Sequence, residues 1–158
     1  LETLASRNFQ IILLPHVIRK TDSDLDALRA ISTAASDHTA LIDYTLMPSQ
    51  VRWLAARAHL IITGRMHLAI MGLNMGCPTI ALSTVGKVEG LYDLFDVPEL
   101  VVQPNLGYGT EVTSIIADLD WNDIRERIAA RLPAVRELSR ANFEGLSLQE
   151  APVSSRSE

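Results

Sequence analysis

His59-Leu60-Ile61-Ile62-Thr63-Gly64, then residues 65–75, then Gly76-Cys77-Pro78-Thr79-Ile80-Ala81-Leu82 read as strand, turn, helix, stop and strand. The apolar run ends at Gly64, expected here to let the backbone turn tightly. Gly76 is a natural residue just past a helix C-terminus. Pro78 opens the next strand, at a first position where its missing N–H is tolerated. Outward from this unit the alternation repeats. Gln10-Ile11-Ile12-Leu13-Leu14, residues 39–43 and residues 99–103 are further strands, and the continuous apolar character of 10–14 and 59–63 predicts burial on both faces. Helical patterns begin at Ser23, at Pro48, before Phe95, near Thr110 and at Trp121. Pro133 is expected to kink the last of these or split it in two. Strands alternating with helices give an α/β fold, a Rossmann-like open parallel sheet of about five strands with helices on both faces. Residues 1–146 form this domain, and the polar residues 147–158 are expected to be a flexible tail.

The 158 residues are one domain's worth. A hydrophobic fraction of 47% suits a packed core and argues against a disordered chain. A net charge of −5 makes a poor general binder of phosphate backbones, so no nucleic-acid partner is expected. The single cysteine, Cys77, excludes an intrachain disulfide and fits a reducing, cytoplasmic compartment. No apolar run approaches the roughly 20 residues of a membrane span. The chain opens with Leu1-Glu2-Thr3-Leu4-Ala5, which reads as the back half of a helix and hence as a piece of a longer protein.

Most chemical motifs fail on inspection. Gly107 and Gly109 lack a third glycine at Val112, and Gly86-Lys87 is followed by Val88 rather than Ser or Thr, so neither dinucleotide nor P-loop patterns are met. Asp22, Asp24 and Asp26 imitate the start of a calcium loop, but Ala27 and Thr33 occupy the positions that need Gly and Glu. Ser23-Asp24-Leu25-Asp26 reads instead as a helix start resembling a capping box, and capping accounts for those aspartates. One cysteine and four scattered histidines supply no zinc set, and no metal is expected. Trp53 and Trp121 fall in helical patterns, where packing is the simpler role.

Thr63-Gly64-Arg65-Met66-His67 survives this screen. A strand ends, the chain turns, and a helix begins with free N–H groups that favour an anion. Arg65 adds a planar fork matched to carboxylate or phosphate. His67, in the same first turn, can change charge near neutral pH. Lys87 follows the next strand and stands on the same sheet edge, within reach of the same anion. The competing reading has Arg65 paired with an acid, His67 partly buried and satisfied, and Lys87 simply solvated.

These residues also resemble a family. Ala58-His59-Leu60-Ile61-Ile62-Thr63-Gly64-Arg65-Met66-His67-Leu68-Ala69-Ile70, then Gly76-Cys77-Pro78-Thr79-Ile80-Ala81-Leu82-Ser83, then Lys87-Val88-Glu89-Gly90 resemble the polysaccharide pyruvyl transferases. That pattern is a strand running into Arg-Leu-His, an apolar helix, Gly-x-Pro, a strand and Lys-x-x-Gly. Leu13-Leu14-Pro15-His16 and either Asp24 or Asp26 also stand where the family often has Pro-His and Asp. The likeness runs over residues 10–146 and is most specific between 58 and 90. Met66 replaces the usual Leu, and Thr84-Val85-Gly86 precedes Lys87 where a Tyr is common. The resemblance implies the carboxyl-terminal half of a two-domain, GT-B-like enzyme, partnered by an amino-terminal half. It implies phosphoenolpyruvate as donor, no cofactor, and a glycan or lipid-linked sugar as acceptor. His67 would then be the catalytic acid or base, with Arg65, Lys87, Gly64, Met66 and His16 binding substrate. The rival readings are the nucleotide-sugar half of a GT-B glycosyltransferase or epimerase, and a non-catalytic anion-binding domain. The only Glu-x7-Glu spacing that the first would favour, Glu150 to Glu158, lies in the tail.

Overall fold

Five parallel strands form where the sequence places them, each shorter than its apolar run: β1 (Ile11–Leu13), β2 (Thr39–Leu41), β3 (Ile61–Thr63), β4 (Thr79–Leu82) and β5 (Val101–Val102). They belong to a computed structural model that describes residues 9–18, 23–34, 36–83 and 86–142, with Leu4 and Glu144. The expected tail, 147–158, lies outside the described residues. The helices are α1 (Asp24–Ala34), α2 (Pro48–Ala55), α3 (Met66–Asn74), α4 (Gly86–Leu94), α5 (Tyr108–Asp118) and α6 (Trp121–Ala141). The fold is α/β with open parallel sheets.

The expected single sheet is divided. Among the described residues β1 pairs only with β2, while β3, β4 and β5 form a second ladder in that order. Among the same residues, side chains rather than backbone hydrogen bonds bridge the seam between the β1 and β3 sheets. At its amino end Phe9 shares a small cavity with His59, Leu60 and Trp121. At its carboxyl end Arg65, after β3, reaches Asp24, which opens α1 after β1. Among the described residues the hydrogen-bonded orders are β1–β2 and β3–β4–β5, and the Asp24–Arg65 contact brings the loop after β3 to the loop after β1.

Burial also departs from expectation. β1 and β3 are each buried on one face only: Leu13 and Thr63 are buried, whereas Ile12 is 52% exposed and Ile62 38% exposed. A strand turns alternate side chains to opposite faces, so an apolar run is two-sided only where helices cover both sides. That condition is met further along. α3 lies against the face carrying Ile61 and Thr79, and the buried cluster of Ile80, Phe95, Leu100 and Val102 takes in Ile116 of α5 and Ile124 and Ile128 of α6. Tyr92 of α4 is fully buried there and donates its hydroxyl to the Thr79 carbonyl at 2.8 Å; burial pushes its ionisation upward.

Local signals explain the element ends. Gly76 adopts φ +75° and stops α3, with its N–H on Leu73 O and that of Cys77 on Gly72 O, both at 3.0 Å. Pro48 takes the first position of α2, where Gln50 Oε1 accepts from the Met47 N–H at 2.8 Å. Asp120 caps α6 by accepting from the amides of Asn122 and Asp123. That helix continues for 21 residues through Pro133 and does not split. The proline removes one hydrogen bond, to the Ala129 carbonyl, and the packing of Ile124, Ile128, Leu132 and Val135 against the core on either side holds the helix together. Among the described residues no helix is long and apolar enough to cross a membrane.

Candidate active site

In an open parallel sheet ligands bind outside the carboxyl ends of the strands, where strand order reverses. Here the carboxyl ends of β1 and β3 are brought together by the contact between Asp24 and Arg65. Thr63, buried at the end of β3, accepts the Arg65 N–H on its hydroxyl at 3.0 Å and so sets the turn into α3. Arg65 is the N-cap of α3 in extended conformation, and its carbonyl receives the N–H groups of Leu68 and Ala69. Gly64 stands at the turn but does not take a left-handed conformation. A methyl group there would stand 3.7 Å from Leu82 O, an ordinary contact, so the turn rests on the Thr63 hydroxyl and not on glycine's freedom.

The Arg65 guanidinium is only partly free. Its Nη2 donates to Asp24 Oδ1 at 2.8 Å across 41 residues of sequence. The other Asp24 oxygen accepts the N–H groups of His16, at 3.0 Å, and Val17, at 2.9 Å. One carboxylate thus ties the loop after β1, the start of α1 and the start of α3 together. Partial burial pushes the Asp24 carboxyl up, but the hydrogen bonds from Val17, Arg65 and His16 outweigh it and hold the group below its ordinary value. This corrects the reading of Asp24 as a helix cap: Ser23 Oγ accepts from the Leu25 N–H at 3.2 Å, and Asp26 pairs with Arg29. Spacing within the helix start held no signal for a contact so distant. Only the family resemblance marked an aspartate here, and it did not separate 24 from 26.

Asp24 yields a pH prediction. Its folded value lies below its unfolded one, so its contribution to stability is complete above about pH 4 and fades as pH falls through the folded value. The pair is part-exposed, Arg65 45% and Asp24 28%, so screening limits the net effect to about 1 kcal/mol. Asp24→Asn should lower the melting temperature near pH 7 by about 2–4 °C. The gap between wild type and variant should close as pH falls below about 4 in thermal melts. A gap independent of pH would refute the assignment.

The remaining expected residues lie along the same edge. Met66 and His67 are the first two residues of α3, both exposed, and the His67 ring has no hydrogen bond or ion pair among the described residues. His16 is exposed in the bend after Pro15. Lys87 is the second residue of α4, exposed, beyond the end of β4, the strand paired to β3. The structure therefore joins Arg65 to the His16 loop through Asp24 and leaves His67 and Lys87 open to solvent. Arg65 does pair with an acid, as the competing reading had it. Its Nη1 and Nε have no partner among the described residues. Cys77, though inside the family-like stretch, is buried behind α3, where burial pushes its thiol up to about 11. That is a packing role.

Neither a curated protein nor a solved structure matches the chain. A family model does: the one described as polysaccharide pyruvyl transferase matches residues 1–84, more than half of the chain. The matched span takes in His16, Asp24, Arg65 and His67 and stops short of Lys87. A strand that delivers Arg-Met-His to a helix start, opposite a Pro-His loop, accords with that match, and the chain belongs to the polysaccharide pyruvyl transferase family.

Proposed function

We propose that this chain supplies the donor half of an enzyme that transfers the enolpyruvyl unit of phosphoenolpyruvate onto sugar hydroxyls, forming a pyruvate ketal. The observation that carries the reading is the place of Arg65. It stands at a helix N-terminus on the carboxyl edge of the sheet, at the seam, tethered to the loop after β1. Phosphoenolpyruvate brings a carboxylate and a phosphate on neighbouring atoms. Arg65 and the first amides of α3 suit one of these groups, and Lys87, one strand along, suits the other. Asp24 offsets part of the Arg65 charge while fixing the guanidinium, so the helix dipole and Lys87 supply the remaining positive field.

The reaction needs proton movement. One sugar hydroxyl adds to C2 of the donor while C3 gains a proton and becomes a methyl group. A second hydroxyl then displaces phosphate from C2, closing the ketal. Of the two hydroxyl protons, one balances that gained by C3 and the other leaves with phosphate or solvent. His67 is exposed beside Arg65 in sequence and is the acid or base for the first step. An amino-terminal half, facing this one, would contribute to the acceptor side.

The test is a ligand-observed NMR titration of the chain with phosphoenolpyruvate, a uridine nucleotide sugar and inorganic phosphate. Selective binding of phosphoenolpyruvate is expected. A preference for the nucleotide sugar would replace this reading with the glycosyltransferase one.

A further inference from the structure

The loop after β2 and the first turns of α2 line an open cleft of about 440 Å³ that none of the candidate site residues above enters. Tyr44 and Trp53 line it together with Ile42, Leu54, Ser49 and Gln50. No charged side chain lines it. Tyr44 is 60% exposed and Trp53 56% exposed, an unusual outlay of aromatic surface for a pair with packing roles alone. Trp53 is also held in place. Arg57, one turn on, lies over the indole with its guanidinium carbon 4.0 Å from the ring centroid, and donates from Nη1 to the Trp53 carbonyl at 3.2 Å. One face of the ring is taken by Arg57, while the indole still lines the cavity. Gln50 spends its carbonyl oxygen on the Met47 N–H, which leaves its NH₂ as a donor, and the Ser49 hydroxyl has no partner among the described residues.

Aromatic walls with a few neutral hydrogen-bonding groups, in a cavity within the usual roughly 300–1,000 Å³ of small-ligand sites, suit a molecule that is apolar on its faces and hydroxylated around its rim. A pyranose ring has that form: its C–H groups carry slight positive charge and meet the negative faces of indole and phenol. An anion finds no cation in the lining. Position agrees with chemistry, because Ile42 N–H bonds Leu13 O at 3.0 Å, which sets the loop after β2 beside the Pro15-His16 loop after β1. The cavity, the Asp24–Arg65 pair and Lys87 thus succeed one another along one sheet edge. We propose that this cavity takes a pyranose ring of the acceptor glycan, so that the chain binds acceptor as well as donor. The proposal rests on the pyruvyl-transfer reading for the name of its ligand, and on the cavity alone for the existence of a sugar site.

Saturation-transfer NMR on the full chain tests it, with methyl β-glucopyranoside, methyl β-galactopyranoside and N-acetylmannosamine as probes and uridine monophosphate as the control. At least one sugar should bind, and Trp53→Ala and Tyr44→Ala should each weaken it by about tenfold, while Trp53→Phe retains most of the affinity. Both rings are exposed, so the alanine variants should fold, and unchanged phosphoenolpyruvate binding in them checks this. Three results would overturn the proposal: no sugar bound, sugar binding indifferent to both alanine variants, or uridine monophosphate bound in preference at Trp53. A dimer in sedimentation velocity that Trp53→Ala dissociates would also overturn it, by assigning the face to a second copy of the chain. Sugar binding without phosphoenolpyruvate binding would leave the cavity assignment standing and remove the donor reading; the reverse pattern would do the opposite.

Discussion

Arg65→Ala in the intact enzyme should lower turnover by at least about a hundredfold and abolish detectable binding of phosphoenolpyruvate, with the fold unchanged. Three facts set that expectation. Arg65 is 45% exposed on its side chain, so its removal opens no core cavity. It is the charged fork at the start of α3, whose dipole alone is worth about 0.3–1 kcal/mol to an anion at an exposed site. Its one described side-chain partner, Asp24, loses its cation beside the proposed donor site once the arginine is gone, so the variant repels an anion as well as failing to attract one. Arg65→Lys keeps the charge and loses the fork, and should recover only a small part of the activity. His67→Ala provides the contrast: turnover falls while phosphoenolpyruvate binding remains, because a proton donor or acceptor acts in the transition state and not on the resting complex. Near wild-type turnover in either alanine variant would remove that residue from the mechanism.

The largest effect on stability is expected at Gly72. This residue brings α3 close to the sheet: a Cβ built there would stand 2.3 Å from Thr79 Oγ1 and 2.9 Å from Ile61 Cδ1. Thr79 cannot yield easily, since it is fully buried and its hydroxyl donates to the Cys77 carbonyl at 3.0 Å. Gly72→Ala gains about 1 kcal/mol of helix propensity. Overpacking of this severity costs more, so a net loss of about 1–3 kcal/mol is expected, with Gly72→Val worse. The loss should shrink in a Thr79→Ala background, where the nearest atom is gone, and a double-mutant cycle by chemical denaturation reads that coupling. A rise in stability for Gly72→Ala alone would show that the helix can lift away freely. Lifting α3 has a functional cost too, because the same helix carries Arg65 at its head and would draw it off Asp24.

The strands were legible because their β-branched runs are bracketed by Pro15, Gly64 and Pro78, and α3 because Gly76 provides the left-handed stop that its position requires. Arg65, Met66 and His67 were legible as a group because local spacing alone puts them in one helical turn. What local spacing cannot carry was read differently from the structure. The alternation Asp22, Asp24, Asp26 looks like a helix start whichever carboxylate turns outward, and the contact that gives Asp24 its role spans 41 residues. Ile12 and Ile62 read as interior because an apolar run does not say how many of its faces a helix will cover. Pro133 reads as a break because its missing N–H is local, whereas the packing that carries α6 past it is not. Trp53 reads as packing for a similar reason: nothing in its neighbours along the chain reveals that it lines a cleft with Tyr44.

The unladdered seam has a mechanical consequence. Hydrogen-bonded strands are locked in register, with their spacing fixed at about 4.8 Å, so a site between two of them has walls at a set separation. β1 and β3 are joined instead by side chains at their two ends, Phe9 below and Asp24 with Arg65 above. No backbone ladder among the described residues ties the His16 loop to the head of α3, so that contact rests on the Asp24–Arg65 pair, whose guanidinium is the group that an incoming anion would engage. Anion binding at the proposed site and the contact between its two loops would therefore draw on the same few atoms.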